Sequence, residues 1–404
     1  MTGPTVPPPS GGHDLGASFG APVAAVQPSA PRSHRRRNSL IWVAIGIVAI
    51  AGACTAVQIG ANLGYDDALI GFEDAIDDAE DSALLLDDEL AALGGTLAVA
   101  SGIADHDAGV LMDAASKEAL IATVGEAETV VSDGTAVREQ QFPAADEKPT
   151  WAWELFGETT QLNADRDAAD DLFDEFDTAG RSAEDAARTL EEAGVTAITS
   201  AADAAAGFEA AHVSARNLDV IALRSAAERL QQTEGSLDET AAAAYTDLEA
   251  AASQMLVSEQ AELAEKSGPL YDARLEIEAF ARSLAPGVLL DFDWSEFVNG
   301  YGYADSMGGY ATWWYADPGY ATIELSNSVA AYWPGARSEA LVAHEVGHAI
   351  SVKCDGMYDD SDQSNIEAWA TAWAISMGFT DAANGTSAYG PPPQSLIDAA
   401  AGCR

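Results

Sequence analysis

The chain is short of basic charge and of sulfur. Of its 404 residues only four are lysine, six are histidine and three are cysteine. Against 19 lysines and arginines stand 65 acids, for a formal net charge of −46. Such a surface repels phosphate backbones and anionic headgroups, which makes nucleic acid a poor partner. The imbalance is uneven. Residues 1–61 hold Arg32, Arg35, Arg36 and Arg37 against the single acid Asp14, so the remainder carries −49. With so few histidines, any pair at a meaningful spacing stands out, and the last hundred-odd residues contain two, His344 and His348.

Residues 1–38 are rich in Pro, Gly, Ser and Ala, with too few large apolar groups to offset the entropy of ordering; a disordered tail is expected. From Leu40 to Ile59 no charge occurs, a length that spans the hydrocarbon core of a bilayer as a helix. A cleaved signal peptide is the competing reading, but some 38 residues precede the apolar run. A retained transmembrane helix over 39–61 is preferred. Arginines flank its N-terminal side, so the tail is expected in the cytoplasm and the rest of the chain outside the cell. Cys54 falls within this span. Cys354 and Cys403 remain as an even pair in an oxidising compartment and are expected to form a disulfide.

Residues 62–285 are dominated by Ala, Leu, Asp and Glu, with strong helix formers over 65–93 and 237–266. Ser236 and Glu239 read as a capping box for the second stretch. Breakers at Gly94-Gly95, Gly134, Pro143, Pro149, Gly180, Gly194, Gly235 and Gly268-Pro269 divide the region into several helices, expected to pack as a bundle or coiled-coil stalk. His106 and His212 lie among acids and alanines and are expected at the surface. Composition then changes near Pro286-Gly287. Six of the nine tryptophans follow that point. A strand is expected over 288–294 and a β-hairpin over 310–325, turning at Ala316-Asp317-Pro318-Gly319. A helix capped by Ser338 and another over 365–377 complete an α+β chain: a mostly helical region, then a small domain with a short sheet over 286–404.

The first of those two helices carries His344-Glu345-Val346-Gly347-His348. Residues four apart share a helix face, so both imidazoles can reach one metal ion. Glu345 projects about 100° around the helix from His344, beside the ion, where a general base can take a proton from an activated water. Leu341, Val342, Val346 and Ile350 predict that this helix is buried. Catalytic zinc takes three protein ligands as a rule, and no histidine follows His348. Glu367, 19 residues on, is the leading third ligand. Ser364 and Glu367 also fit a capping box, in which Glu367 would only close its helix. Asp359, Asp360, Asp362 and Cys354 are the other candidates.

In these residues the chain resembles the gluzincins, zinc peptidases that join H-E-x-x-H to a glutamate on a following helix. The resemblance covers roughly residues 286–404, and its specific part is His344 to Glu367. It implies a zincin-like domain in which His344, His348 and Glu367 bind zinc and Glu345 is base and proton shuttle. Thr371 stands where thermolysin-like members carry an aspartate that orients a ligand histidine. Without a further histidine, Tyr358, Tyr389 or a hairpin tyrosine is left to stabilise an oxyanion. Trp313, Trp314, Tyr315, Tyr332 and Trp333 are expected in core packing rather than in a pocket. The expectation is therefore a membrane-anchored, extracellular zinc peptidase acting on a peptide or protein substrate. The alternative is a catalytically silent surface protein whose helical region binds a partner.

Overall fold

The computed structural model describes residues 35–404 apart from 107, 108, 234 and 317; of the tail expected over 1–38, residues 1–34 lie outside the described residues. The chain divides into two compact units: the part up to Ile70 together with Asp146–Leu162, and Gly71–Ala145 together with Asn163–Arg404.

Helix α1 (Arg35–Ala104) begins in the first unit and is long and apolar enough to cross a membrane by length and composition, with an 18-residue stretch of mean hydropathy 1.9. Its apolar part is bare: Trp42, Ile47, Val48 and Ile50 are all more than half exposed. From Ala61 onward it becomes packed, and Ala61 and Tyr65 are buried. The start of α3 (Ala152–Ala211) joins it here, with Leu155 and Leu162 buried. The Gln58 amide bonds both Thr150 O (3.0 Å) and Ala152 N (2.9 Å), and Lys148 pairs with Asp66.

In the second unit, α2 (Ala114–Arg138), α4 (Asn217–Gln231) and α5 (Glu239–Glu265) pack with α1 and α3 around one core that includes Leu93, Leu120, Leu190, Leu223 and Leu248. Several expected breaks are absent: α1 runs through Gly94-Gly95, α2 contains Gly134, and α3 contains Gly180 and Gly194. A mid-helix glycine costs about 1 kcal/mol, which burial of a helix face exceeds. Gly134 and Gly194 are close approaches instead. A Cβ there would lie within 3 Å of Leu90 and Leu237 side-chain carbons. The cap of α5 is Asp238, which accepts Ala241 N at 2.8 Å, whereas the Ser236 hydroxyl turns back to Thr233 O. The carboxylate of Glu249, fully buried, accepts three N–H groups from Val110, Leu111 and Met112. Neither expected surface histidine is free in solvent. His212 Nδ1 lies 2.7 Å from Glu259 and its ring packs on Phe208, while the half-buried His106 meets Tyr245 edge-on.

The sheet holds β1 (Leu289–Ser295), β2 (Gly309–Trp314) and β3 (Tyr320–Ser326) in the order β1-β3-β2. β2 and β3 form the antiparallel hairpin, Trp314 opposite Tyr320, and β1 runs parallel to β3. A parallel partner requires a crossover, supplied here by the loop and β2 between 296 and 319. After α7 (Asn327–Ala331), helix α8 (Ala336–Ala349) packs against β2, β3 and α6 (Tyr271–Leu284). Ser338 does not cap α8; it is buried inside the helix and donates to Val329 O at 3.0 Å, and Gly335 holds the cap position. Next come α9 (Gln363–Ser376), α10 (Thr386–Tyr389) and α11 (Gln394–Ala400), with α9 lying against α8.

The expected boundary at 286 cuts through this core. Ile277 and Ala281 of α6 and Ala285 are buried with Phe292, Ile323, Val342 and Trp373. A polar network built on Glu278, Glu262 and Arg216 reaches across the same junction. Lys266 Nζ sits 3.1 Å from Glu278 and 3.3 Å from Glu262, and Trp294 Nε1 donates to Glu278. Arg216 binds Glu262 and Asp293, and the Asn217 amide donates to Ala321 O of β3. Cys354 and Cys403 form the expected disulfide, with Cα atoms 5.9 Å apart.

Candidate metal and catalytic site

Helix α8 is buried on every side from Ser338 to Ala349 except for Ser338's own turn neighbour Glu339, and its central position aims three polar side chains into one cleft. His344, Glu345 and His348 are each only 5% exposed. Helix α9 supplies the fourth group. Its N-cap is Asp362, whose carboxylate accepts Asn365 N at 3.1 Å, so Glu367 does not cap the helix. Glu367 Oε1 accepts from Gln363 at 2.7 Å, and Oε2 faces His344 Nε2 at 3.1 Å and His348 Nε2 at 3.3 Å. Among the described residues, His344, His348 and Glu367 form a three-donor cluster with ligand atoms within 4.8 Å of one another.

The hydrogen bonding of His344 indicates what this cluster needs. Its Nδ1 lies 3.0 Å from the Asn384 carbonyl, which can only accept, so Nδ1 carries the proton. A neutral His344 then turns its Nε2 lone pair toward the Glu367 carboxylate. Two sets of lone pairs at 3.1 Å repel unless positive charge lies with them, as a second proton or a metal ion. Two imidazole nitrogens and a carboxylate oxygen suit zinc. When the facing imidazole nitrogens carry protons, hydrogen bonds from His344 and His348 outweigh the burial that disfavours ionised Glu367 and hold its carboxyl well below its ordinary range. Burial likewise opposes charge on His344, yet the adjacent Glu367 raises it; His348 is lowered, by burial.

Glu345 is outside the donor cluster. Burial pushes its carboxyl up to about 7, partly countered by His344. It lies against Gly309 of β2, where a Cβ would come within 2.7 Å of its carboxyl carbon. A cleft of about 160 Å³ lined by Gly309, Trp313, His344, Glu345, Glu367 and Tyr389 holds all the polar groups. A second cavity of about 390 Å³, bounded by Met307, Arg337 and Leu341, shares His344, Glu345 and Tyr389 with it. β2 is an edge strand of the sheet and forms one wall of the cleft.

The other candidates fall away from the cluster. Asp359 bonds Ser361 N, Asp362 caps α9, Asp360 is exposed and Cys354 is in the disulfide. Tyr358 donates to Ser351 and stacks on Trp369, its phenol pushed up by burial beyond the usual range. Of the tyrosines considered, Tyr389 stacks on His344 with ring centroids 5.9 Å apart, and burial and then the Glu367 charge push its phenol up to about 12. Trp313, expected in the core, stacks on His348 at 5.5 Å with its plane 9° away. Trp313 and Trp333 are both partly buried against the core, Trp333 packing on Phe280, whereas Trp314, Tyr315 and Tyr332, also expected there, are exposed because they sit at the hairpin end and after α7.

Two supports were not foreseen. The Asn384 carbonyl, rather than Thr371, is the nearer partner of His344; Thr371 Oγ1 stands 3.4 Å from the same nitrogen. Gly385 then adopts φ +99°, and a Cβ there would lie 2.7 Å from the His344 ring. Asn384 itself is held by its side chain, which donates to Phe379 O and accepts from Thr386 N. A run of Asn-Gly after α9 was the available signal, since that pair favours a left-handed turn. In comparisons with protein-family models, curated proteins and solved structures, nothing matches this chain.

Proposed function

We propose that the chain is a zinc-dependent peptidase of the gluzincin type, anchored in a membrane by residues 39–61, with its second unit outside the cell. The observation that carries this reading is the division of labour in the cleft. Three donor atoms converge within 4.8 Å, and a separate buried carboxylate, Glu345, stands beside them without joining the set. A purely structural site would have no need of that fourth group.

His344, His348 and Glu367 would hold the ion. Bound zinc supplies Lewis-acid polarisation of the scissile carbonyl and acidifies water. The residues of the chain do the rest. Glu345 accepts the proton of the attacking water and passes it to the departing amine, a task suited to a carboxyl pushed up to about 7. The Tyr389 phenol, protonated at neutral pH, donates toward the oxyanion. The free edge of β2 takes an extended peptide by main-chain hydrogen bonds. Asn384 holds the His344 tautomer, and Trp313 covers His348.

The test is Glu345→Gln in the full chain, with metal analysis and hydrolysis of a peptide library side by side. The variant is expected to keep its zinc and lose about 10²–10⁴ in kcat. Zinc bound by the wild type with no hydrolysis of any peptide would replace this reading with the catalytically silent one. Unchanged activity in the variant would remove Glu345 from the reaction.

A further inference from the structure

The first unit carries a feature that the peptidase reading does not use. At the turn into α3, Trp151 and Trp153 stack face to face, with centroids 5.3 Å apart and planes at 4°. They are 54% and 67% exposed, and Phe156, three residues beyond Trp153 on the same helix face, is 55% exposed. By contrast Trp369 and Trp373 are fully buried. Three large aromatic side chains at one helix start, each more than half exposed, call for a role beyond packing within the described residues.

Their position relative to α1 gives them one. Both hydrogen bonds of the Gln58 amide go to this turn, to Thr150 O and to Ala152 N, the first residue of α3. Gln58 lies in the last turn of the span expected over 39–61, where the strongly apolar stretch ends within an uncharged run that continues to Tyr65. Below it α1 is bare and apolar; above it, from Ala61, the helix is packed. The aromatic turn is therefore clamped at the level where the apolar span ends. In a bilayer that level is the headgroup region, where tryptophan side chains partition with the ring in the acyl boundary and the N–H toward water.

We infer that Trp151, Trp153 and Phe156 insert into the outer headgroup layer of the membrane crossed by α1, making the start of α3 a second point of contact with lipid. The occupant is the phospholipid interface itself, recognised through aromatic surface and not through charge. Asp146, Glu147 and Glu154 are the acids next to the patch in sequence, and Lys148, the cation next to it in sequence among the described residues, is paired with Asp66 and lies over the Tyr65 ring. Anionic lipid is thus not required. One contact from α1 alone leaves a protein free to pivot about its span; a second contact beside it restrains the tilt.

The experiment places the full chain in phosphatidylcholine vesicles with or without bromine on the acyl carbons nearest the headgroup, and reads tryptophan emission. In the Trp42→Phe chain, Trp151 and Trp153 are two of eight tryptophans, so brominated lipid is expected to remove up to about a quarter of the emission. Adding Trp151→Phe and Trp153→Phe to that chain is expected to abolish the quenching. Equal quenching with and without the pair would overturn the inference. So would quenching of Trp42 alone, which would leave α1 in the bilayer and the aromatic turn in water. Absence of quenching at Trp42 as well would remove the membrane and the inference together. Peptide hydrolysis is not read in any arm, so none of these outcomes depends on the peptidase assignment.

Discussion

Replacing Gly347 by alanine sets two effects of opposite sign against each other. The residue sits inside α8, between the two histidines, and on helix propensity alone alanine stabilises by about 1 kcal/mol. Packing reverses this. A Cβ at 347 would lie 2.9 Å from Ala370 Cα and 2.7 Å from Ala370 O on α9. Carbon atoms in contact sit about 3.5–4.0 Å apart, so α8 and α9 must separate by roughly 0.6 Å or more. Neither obstacle is a flexible side-chain end; both are backbone. Overpacking of this kind costs about 1–3 kcal/mol, so after the propensity gain the net effect is a loss of up to about 2 kcal/mol.

The same displacement reaches the site, because His344 and His348 ride on α8 and Glu367 on α9. Their donor atoms now face each other at 3.1 and 3.3 Å, and widening that gap is expected to weaken zinc binding about tenfold, the scale of mispositioned ligands. Urea unfolding of the apo protein and competition for zinc with a fluorescent chelator read the two effects separately. A Gly347→Ala chain that is more stable than wild type by about 1 kcal/mol, with zinc affinity unchanged, would refute the close approach of the two helices as the reason for glycine.

Three other outcomes follow from the same geometry. Lys266→Met leaves the buried Glu278 and Glu262 carboxylates without their shared ammonium and is expected to cost about 3–5 kcal/mol in urea unfolding; a loss below about 1 kcal/mol would mean that Arg282 and Arg216 suffice. Burial holds Asp291 at about 6, so the folded chain binds its proton more tightly than the unfolded one: stability from this group is greatest below about pH 4, falls by about 2 kcal/mol as pH rises to about 6, and is flat above, a slope that Asp291→Asn should remove from the unfolding profile. Tyr389→Phe keeps the ring over His344 and removes the hydroxyl, and kcat is expected to fall about 10²–10³-fold with KM unchanged; an unaltered kcat would show the phenol to be a bystander.

The legible parts of the chain were those governed by local geometry. The spacing of His344 and His348 placed them on one face of a buried helix, and Leu341, Val342, Val346 and Ile350 marked its surroundings as apolar. The hairpin was readable because alternation and turn residues act over a few positions. Glu367 was ambiguous because ligand and cap require the same residue; only the position of Asp362, which takes the capping role, separates them. The supports of the site depend on contacts far apart in the chain. Asn384 meets His344 from 40 residues away, and Gly309 clears space for Glu345 from 36 positions upstream. No periodicity announces such a pair. Glycines misled in the other direction. Gly94-Gly95, Gly180 and Gly194 looked like helix ends, yet helix continuation there is decided by the packing of the whole face.

One core spans the expected boundary at 286 for a related reason, with consequences for how the site can be studied. An amphipathic helix shows that it has a buried face, not which core receives it. Helix α6 carries Ile277 and Ala281 at helical spacing, as any bundle helix does, but they are buried with the sheet and α8. Burying a residue of isoleucine size contributes about 1.5–3 kcal/mol, a large share of the net stability of any domain. The ionic cluster adds a second requirement. Glu262, Lys266 and Glu278 lie on the N-terminal side of 286, whereas Asp293 and Trp294, which complete the arrangement with Arg216, lie beyond it. Cutting between them strands charges that are buried only because each has a partner. The helices of the second unit and the sheet therefore fold as interdependent parts, and activity absent from an isolated 286–404 fragment would report the loss of α6 before it reported anything about His344, Glu345 or His348.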